Sequence, residues 1–304
     1  MAKVSLIVPT FNRPHLLPRC VNSALQAGSN VEVIVVDDAS SDETASVCQT
    51  IRDIKYIRLD SNRGVAGARN EGLRACTSEY VGFLDDDDLR LPSSIDAQVK
   101  LLEAQTNAGM IYGRAFYGDE QCLPKENSYP DECPQGDIFW DLLEWNFVPC
   151  LTVLFRRACL DHVGLLDESA TGVDDWDLWI RIAELYPVLA MEREVAVWRQ
   201  PTPTSGQFSF RAERMHRCSH RLQRDKWLRL PRAMEAPEER RNQASRAFAN
   251  RATQQMISAA ASRYRAGRTL DFIRLALELA RLYPKTLVRN VLRPSSRTVE
   301  QFSD

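Results

Sequence analysis

The apolar run Tyr80–Leu84 (YVGFL) ends in four consecutive aspartates, Asp85–Asp88, and this junction restricts the fold more than any other feature. Five apolar residues in succession suit a strand covered on both faces, as in a parallel sheet between helix layers. Four carboxylates cannot enter that interior without counter-charge, so they belong at the strand's carboxyl end. The same order recurs upstream. Lys3–Pro9 is a β-branched run that closes on Pro9-Thr10, and Val31–Val36 leads straight into Asp37-Asp38. Ile54–Leu59 is a shorter strand. Helical spacing covers Pro14–Ala27, a stretch from a Ser41 or Asp42 cap to about Arg52, and Gly67–Ala75. Strands alternating with helices predict an α/β fold, a mostly parallel sheet flanked by helices. Ligands of such sheets sit beyond the strands' carboxyl ends. Three polar strand ends should therefore meet in one crevice.

Beyond residue 90 the pattern is less regular. Leu91–Gln105 reads as a helix with Pro92 near its first turn, residues 117–137 as a polar loop, and Val148–Phe155 as a strand. Asp174–Leu185 has helical spacing and three acids in its first turn, where the helix dipole favours negative charge. Pro201–Gly206 reads as a hinge. From about Phe210 the chain becomes Arg- and Ala-rich helix, interrupted at Pro231, Pro237, Pro284 and Pro294, with Tyr264–Gly267 resembling the turn of a helical hairpin. The predicted division is an α/β domain at 1–209 and a basic helical extension at 210–304.

Charge supports that division. The formal net charge is -2, yet residues 1–210 hold 32 acids against 18 bases while residues 211–304 hold 9 against 21. An acidic body that binds an anionic ligand calls for a metal ion. The basic extension suits an anionic membrane surface, the acidic body, or a second copy in a homodimer. Nucleic acid is not expected among the partners. No apolar run reaches the roughly 18 residues of a membrane-spanning helix. The start, MAKVSLIVPTFNRP, reads as a first strand and not as a signal peptide. Eight scattered cysteines without a C-x-x-C pair suggest neither zinc nor a disulfide framework, so reduced thiols and a cytoplasmic setting, at most peripheral on the inner face of the membrane, are expected.

Hard carboxylate oxygens such as those of Asp85–Asp88 suit Mn²⁺ or Mg²⁺, with phosphate oxygens filling the remaining positions. A solvated acidic turn is the plainer reading. In Asn62–Asn70 (NRGVAGARN), Gly64 and Gly67 let backbone approach a ligand, and Arg69 can reach a phosphate or a strand-end carboxylate. G-x-G-x-x-G is absent after the first strand, as is a phosphate-binding loop with its Lys, which disfavours both common nucleotide folds.

Taken in order, Val8–Arg13 (VPTFNR), Val36–Asp42 (VDDASSD), Asn62–Asn70, Phe83–Asp88 and Val173–Arg181 (VDDWDLWIR) resemble the motifs of family 2 glycosyltransferases over about residues 3–205. The resemblance implies a GT-A fold, a nucleotide-sugar donor (most often a UDP-sugar) and inversion at the anomeric carbon; a cell-surface glycan or lipid-linked molecule is the expected acceptor. It places Pro9, Thr10, Asn12, Asp38, Asn62, Gly64, Arg69 and Asp86 around the donor nucleotide. Asp85 and Asp87 become metal ligands, and Asp175 the catalytic base. Trp145, Trp176 and Asp174 fall where acceptor residues are expected, although the tryptophans equally suit core packing. Inverting transfer needs a base at the acceptor and charge stabilisation at the leaving group, and these assignments supply both.

One departure stands out. Many relatives carry a His after the base helix, whereas this chain has Val197-Trp198-Arg199-Gln200-Pro201, so either Arg199 or Gln200 replaces that contact or the loop closes differently. Two rivals remain open at this point. A nucleotidyltransferase would need a Gly-rich cationic loop after the first strand, which PTFNRP does not provide. A silent nucleotide-sugar-binding scaffold would fit the missing His but not an intact Asp175.

Overall fold

The structure is a computed structural model that describes residues 3–200 and 212–292. The chain divides into two compact units, one of Met1–Leu142 with Asn146–Phe210 and one of Leu143–Trp145 with Arg211–Asp304.

In the first unit the strands are β1 (Val4–Thr10), β2 (Val31–Asp37), β3 (Ile54–Arg58), β4 (Tyr80–Phe83), β5 (Leu89–Arg90), β6 (Met110–Gly118), β7 (Pro124–Tyr129), β8 (Leu154–Arg156) and β9 (Val188–Arg199). Among the described residues they form one sheet in the order β3-β2-β1-β4-β8-β6-β9-β5, with β7 added beside β6. The parallel half is β3-β2-β1-β4. Its connections are α1 (Leu17–Gln26), α2 (Thr44–Thr50) and α3 (Gly64–Ala75).

Every residue of β1 is buried, because the strand is covered on both faces. Leu6, Val8, Val33 and Val35 share a core with Leu17, Val21 and Ala24 of α1. Ile7 points the other way, and Gly72 of α3 comes so close that an added Cβ would lie 2.5 Å from the Ile7 Cγ2. Gly82 of β4 is tighter in kind, since its Cβ would meet the Val153 carbonyl oxygen and the Leu6 Cδ2, each at 2.8 Å. Backbone cannot yield as a side-chain tip can. Gly82→Ala is therefore expected to destabilise the unit by about 1–3 kcal/mol, read as a lower urea midpoint with an unchanged slope.

The remaining half of the sheet is mixed, and it departs from the sequence reading. β6 and β9 pair in parallel with register shifts around Gly113 and Arg114, irregularities that hide the alternation of both strands. Residues 117–137 hold a strand, β7, not only a loop. It is polar because it pairs through one edge with β6 and leaves most side chains exposed. Val148–Phe155 is a 3₁₀ turn at Cys150–Thr152 followed by the short β8. The helix expected at Leu91–Gln105 begins later, as α4 (Ser94–Ala104), because a turn at residues 91–93 separates it from β5. Further on come α5 (Phe139–Glu144), α6 (Leu160–Val163) and α7 (Asp174–Leu185).

The second unit is helical: α8 (Ala212–Asp225), α9 (Pro231–Glu235), α10 (Glu238–Arg265), α11 (Thr269–Leu282) and α12 (Pro284–Leu292). Trp227, Phe248, Ala252, Met256, Leu275 and Leu279 are buried within it. Pro231 and Pro284 open helices and Pro237 stands just before one, where a fixed φ and a missing N–H do no harm. Gly267, at φ +70, reverses the chain between α10 and α11. The expected hinge at Pro201–Gly206 and the break at Pro294 lie outside the described residues. Among the described residues no helix is long and apolar enough to cross a membrane.

Candidate active site

The carboxyl ends of β1, β2 and β4 meet as their sequences require. The Asp38 N–H donates to the Thr10 carbonyl at 2.9 Å, and the Thr10 hydroxyl donates to Asp86 Oδ2 at 2.8 Å. Pro9 and Thr10 are the last residues of β1. Asn12, in the left-handed region at φ 54, sews the first two strand ends together. Its N–H donates to Ser40 Oγ at 2.9 Å, and its Oδ1 accepts the Ser41 N–H at 2.8 Å.

Asp38 is fixed by the start of α3. Its two oxygens accept the N–H groups of Arg63 (2.7 Å) and Gly64 (2.8 Å), the orphan donors of a helix N-terminus. The Asn62 amide adds a bond to the Asp38 carbonyl at 3.2 Å. Gly64 has φ +73 with open space around its missing Cβ, so a glycine here serves backbone geometry and close approach. Each Asp38 oxygen keeps a second lone pair for a ligand.

Three arginines from separate elements answer the four aspartates. Arg13, in the turn after β1, donates from one Nη1 to Asp86 Oδ1 at 3.0 Å and to Asp87 Oδ2 at 3.1 Å. Arg199, at the end of β9, places Nη1 3.5 Å from Asp87 Oδ2 and donates its backbone N–H to Asp88 Oδ1 at 2.8 Å. Arg69 of α3 is buried, donates to Asp85 Oδ1 at 2.6 Å, and lies 5.1 Å from the centre of the Phe83 ring. Asp86, Asp87 and Asp88 are buried, whereas the Asp85 side chain is 46% exposed. Burial, reinforced by Asp86 and Asp85 and opposed by Arg13, pushes Asp87 up to about 7. Burial likewise raises Asp88 strongly.

The second carboxylate cluster opens α7. Arg69 reaches it with its other amino group, which donates to Asp174 Oδ2 at 2.9 Å. One guanidinium thus ties the acidic tip of β4 to the start of α7. Asp175 is half-buried, and its Oδ1 accepts the Trp176 N–H at 2.7 Å. Loss of solvation, with Asp174 beside it and Arg69 opposing, pushes Asp175 up to about 7. A carboxylate so poised can take a proton near neutral pH. Asp177 plays a different part: it holds Arg181 at 2.9 Å, which in turn donates to the carbonyls of Val163 and Leu165 and anchors the preceding turn.

Both raised carboxylates make a statement about stability. Their folded values lie near 7 against a reference of 3.8, so the fold binds more protons than the unfolded chain between those values. Their contribution is complete below about pH 4 and is lost as pH climbs through 7. Without ligand, melting temperature should fall progressively from about pH 4 to about pH 7 and level off above that, and Asp87→Asn should flatten the fall. Melts that rise over the same interval would contradict the burial of these groups.

The remaining expected residues are placed as follows. Trp176 is buried and its indole N–H donates to the Leu142 carbonyl at 2.8 Å, which packs α7 on α5. Trp145 belongs to the segment Leu143–Trp145 of the second unit. The sequence reading left Arg13 out of the site although it stood in a quoted motif. It also missed Cys150, whose thiol is raised by burial among Arg69, Asp175, Asp85 and Asp174. Only the fold brings Cys150 there. Of the two candidates for the missing His contact, Arg199 faces the acids, while the Gln200 N–H donates to the Gly118 carbonyl at 3.1 Å.

Among the described residues no three His, Cys, Asp or Glu side chains are placed to hold a metal ion by themselves. The donor set still suits a hard divalent cation. Asp85 and Asp87 offer carboxylate oxygens, and the charge of Asp86 and Asp85, which adds to burial in raising Asp87, is charge that a cation would relieve, with phosphate and water completing its shell.

Comparison with known proteins follows the same lines. The family described as Glycosyl transferase family 2 matches residues 5–163. An uncharacterized glycosyltransferase of Rickettsia typhi is 29% identical over 194 residues, 60% of each chain, so this chain spans about 60% of the length of that relative. The Escherichia coli UDP-Glc:alpha-D-GlcNAc-diphosphoundecaprenol beta-1,3-glucosyltransferase WfaP is 30% identical over 187 residues, 60% of this chain and 70% of its own. Among solved structures, S. aureus TarS 1-349 in complex with UDP-GlcNAc superimposes with TM-score 0.61 at 21% identity, over 82% of this chain and 72% of that one. Mannosyltransferase PcManGT from Pyrobaculum calidifontis, in complex with GDP-Man and Mn2+, gives 0.58 at 22%, over 95% and 84%. At such identities these likenesses fix the fold, which is GT-A.

Proposed function

The chain belongs to glycosyl transferase family 2, and from that premise we propose that it transfers a sugar from a UDP-sugar to a hydroxyl of a lipid-linked or surface glycan, with inversion. The observation that carries this reading is the Arg69 bridge, 2.6 Å to Asp85 and 2.9 Å to Asp174. It joins a donor side, the three strand ends, to an acceptor side, the start of α7. The Escherichia coli relative, whose name specifies UDP-Glc and a diphosphoundecaprenol-linked GlcNAc, supports the donor and acceptor classes.

In this reading Pro9, Thr10, Asn12, Asp38 and Asn62–Gly64 cradle the nucleoside, and Asp86, held by Thr10, faces the ribose. Asp85 and Asp87 would hold Mn²⁺ or Mg²⁺, which when bound neutralises charge on the departing diphosphate. Arg13 and Arg199 add two fixed positive charges beside the same carboxylates, with Arg199 serving where relatives use His. Asp175 accepts the proton of the acceptor hydroxyl as its oxygen bonds to the anomeric carbon and the bond to the diphosphate breaks. Asp174, neutralised by Arg69, sets the position of Asp175 and leaves the base role to its neighbour.

The test is slow hydrolysis of the donor without acceptor. Incubated with Mn²⁺, the chain should release UDP from a UDP-sugar, and Asp87→Ala should abolish the release. Binding of nucleotide-sugars without turnover, across donors and acceptors, would favour a silent scaffold instead.

A further inference from the structure

The second unit presents one helix face that its own packing leaves open. α11 buries Leu275, Glu278 and Leu279 against its neighbours. The opposite face follows helical spacing through Leu270, Ile273, Arg274, Leu277, Ala280 and Arg281, all exposed. Leu270 is 71% and Leu277 67% exposed, so most of each aliphatic chain is left in water by the fold. Beside this stripe an open apolar groove of about 390 Å³ runs between α10 and α11, lined by Ile257, Ala261, Tyr264, Phe272 and Ala276.

The charges on this face have a single sign. Arg274 and Arg281 flank the leucines, and Lys285 and Arg289 follow on α12, all of them exposed. The two acids of α11 do not offset them. Glu278 is buried on Arg217 at 2.9 Å, and Asp271 pairs with Arg268 at 2.6 Å, reaching Arg274 only at 3.9 Å. α12 has no acid in its sequence. Residues 211–304 as a whole hold 21 bases against 9 acids.

Aliphatic side chains bordered by an excess of cations are the arrangement that anionic lipid headgroups attract and the acyl boundary receives. A second copy of the chain is the poorer occupant. An isologous contact would set the same cations against one another with no acids opposite. We propose that the α11 face, with the groove beside it, docks on an anionic membrane surface. This does not rest on the donor or the chemistry assigned above, and its failure would leave those untouched.

The full chain would be floated with vesicles of phosphatidylcholine alone and of phosphatidylcholine with phosphatidylglycerol. Binding is expected only to the anionic vesicles and should weaken with salt. Leu270→Glu with Leu277→Glu should reduce it at least about tenfold, and so should Arg274→Glu with Arg281→Glu. These exposed positions should leave the melting temperature unchanged, which separates lost docking from lost folding. The proposal is overturned by equal binding to both vesicle types, by variants that float like the wild type, or by a wild-type dimer that Leu277→Glu dissociates.

Discussion

Asp175→Asn is expected to lower the rate of sugar transfer by about 10²–10⁴-fold while nucleotide affinity stays nearly unchanged. The amide fills the same volume, and its oxygen can still accept the Trp176 N–H that Asp175 Oδ1 accepts at 2.7 Å. What it cannot do is take a proton. The wild-type pH profile makes the same point. Because Asp175 is pushed up to about 7, the fraction of active base, and with it kcat, should rise as pH increases through that value and then level off. A variant that loses affinity but keeps kcat would place the base elsewhere. Asp174 is the nearest alternative, yet its bond to Arg69 at 2.9 Å favours a fixed, charged partner over a group that exchanges protons.

Arg69→Ala should destabilise the first unit by about 3–5 kcal/mol, the usual consequence of removing one partner from a buried ion pair. Arg69 and Asp174 are each 5% exposed at the side chain, so the stranded carboxylate would find little water. Arg69→Lys should recover only part of the loss. A single ammonium cannot span two carboxylates in the way the planar guanidinium does, nor stack on Phe83 as well. Adding Asp174→Asn to Arg69→Ala should restore stability without restoring activity, because Asp85 would remain unanchored. Urea denaturation of the wild type, Arg69→Ala, Asp174→Asn and the double variant gives the coupling between the two positions directly. A coupling near zero would mean that the bridge contributes geometry alone.

The parallel half of the sheet was legible because β1, β2 and β4 are largely buried and so consist mostly of apolar residues, with Ser5 and Glu32 as exceptions ahead of the polar strand ends. β6 and β9 were not. Arg114, Glu192 and Arg193 interrupt their alternation near the register shifts that bend the pair. β7 is polar and exposed at a sheet edge, so nothing in its composition separates it from a loop. The site followed the same division. Carboxylates announced themselves by clustering at strand ends and Arg199 came to notice only where relatives have a His, whereas Arg13 did not. Arg199 stands 112 residues from Asp87 in the chain, and only β9 returning alongside β6 brings the two together. Arg13 follows β1 in an ordinary turn, and its partners lie 73 and 74 residues further on.

Isothermal titration of UDP, with and without Mn²⁺, tests most directly whether the acidic end of β4 is a diphosphate site. Binding should be strong only with the cation present, and a variant carrying both Asp85→Asn and Asp87→Asn should lose that dependence while retaining its fold. If UDP, GDP and dTDP all fail to bind with Mn²⁺ present, or if the double variant binds as the wild type does, the assignment of this crevice to a nucleotide-sugar is wrong.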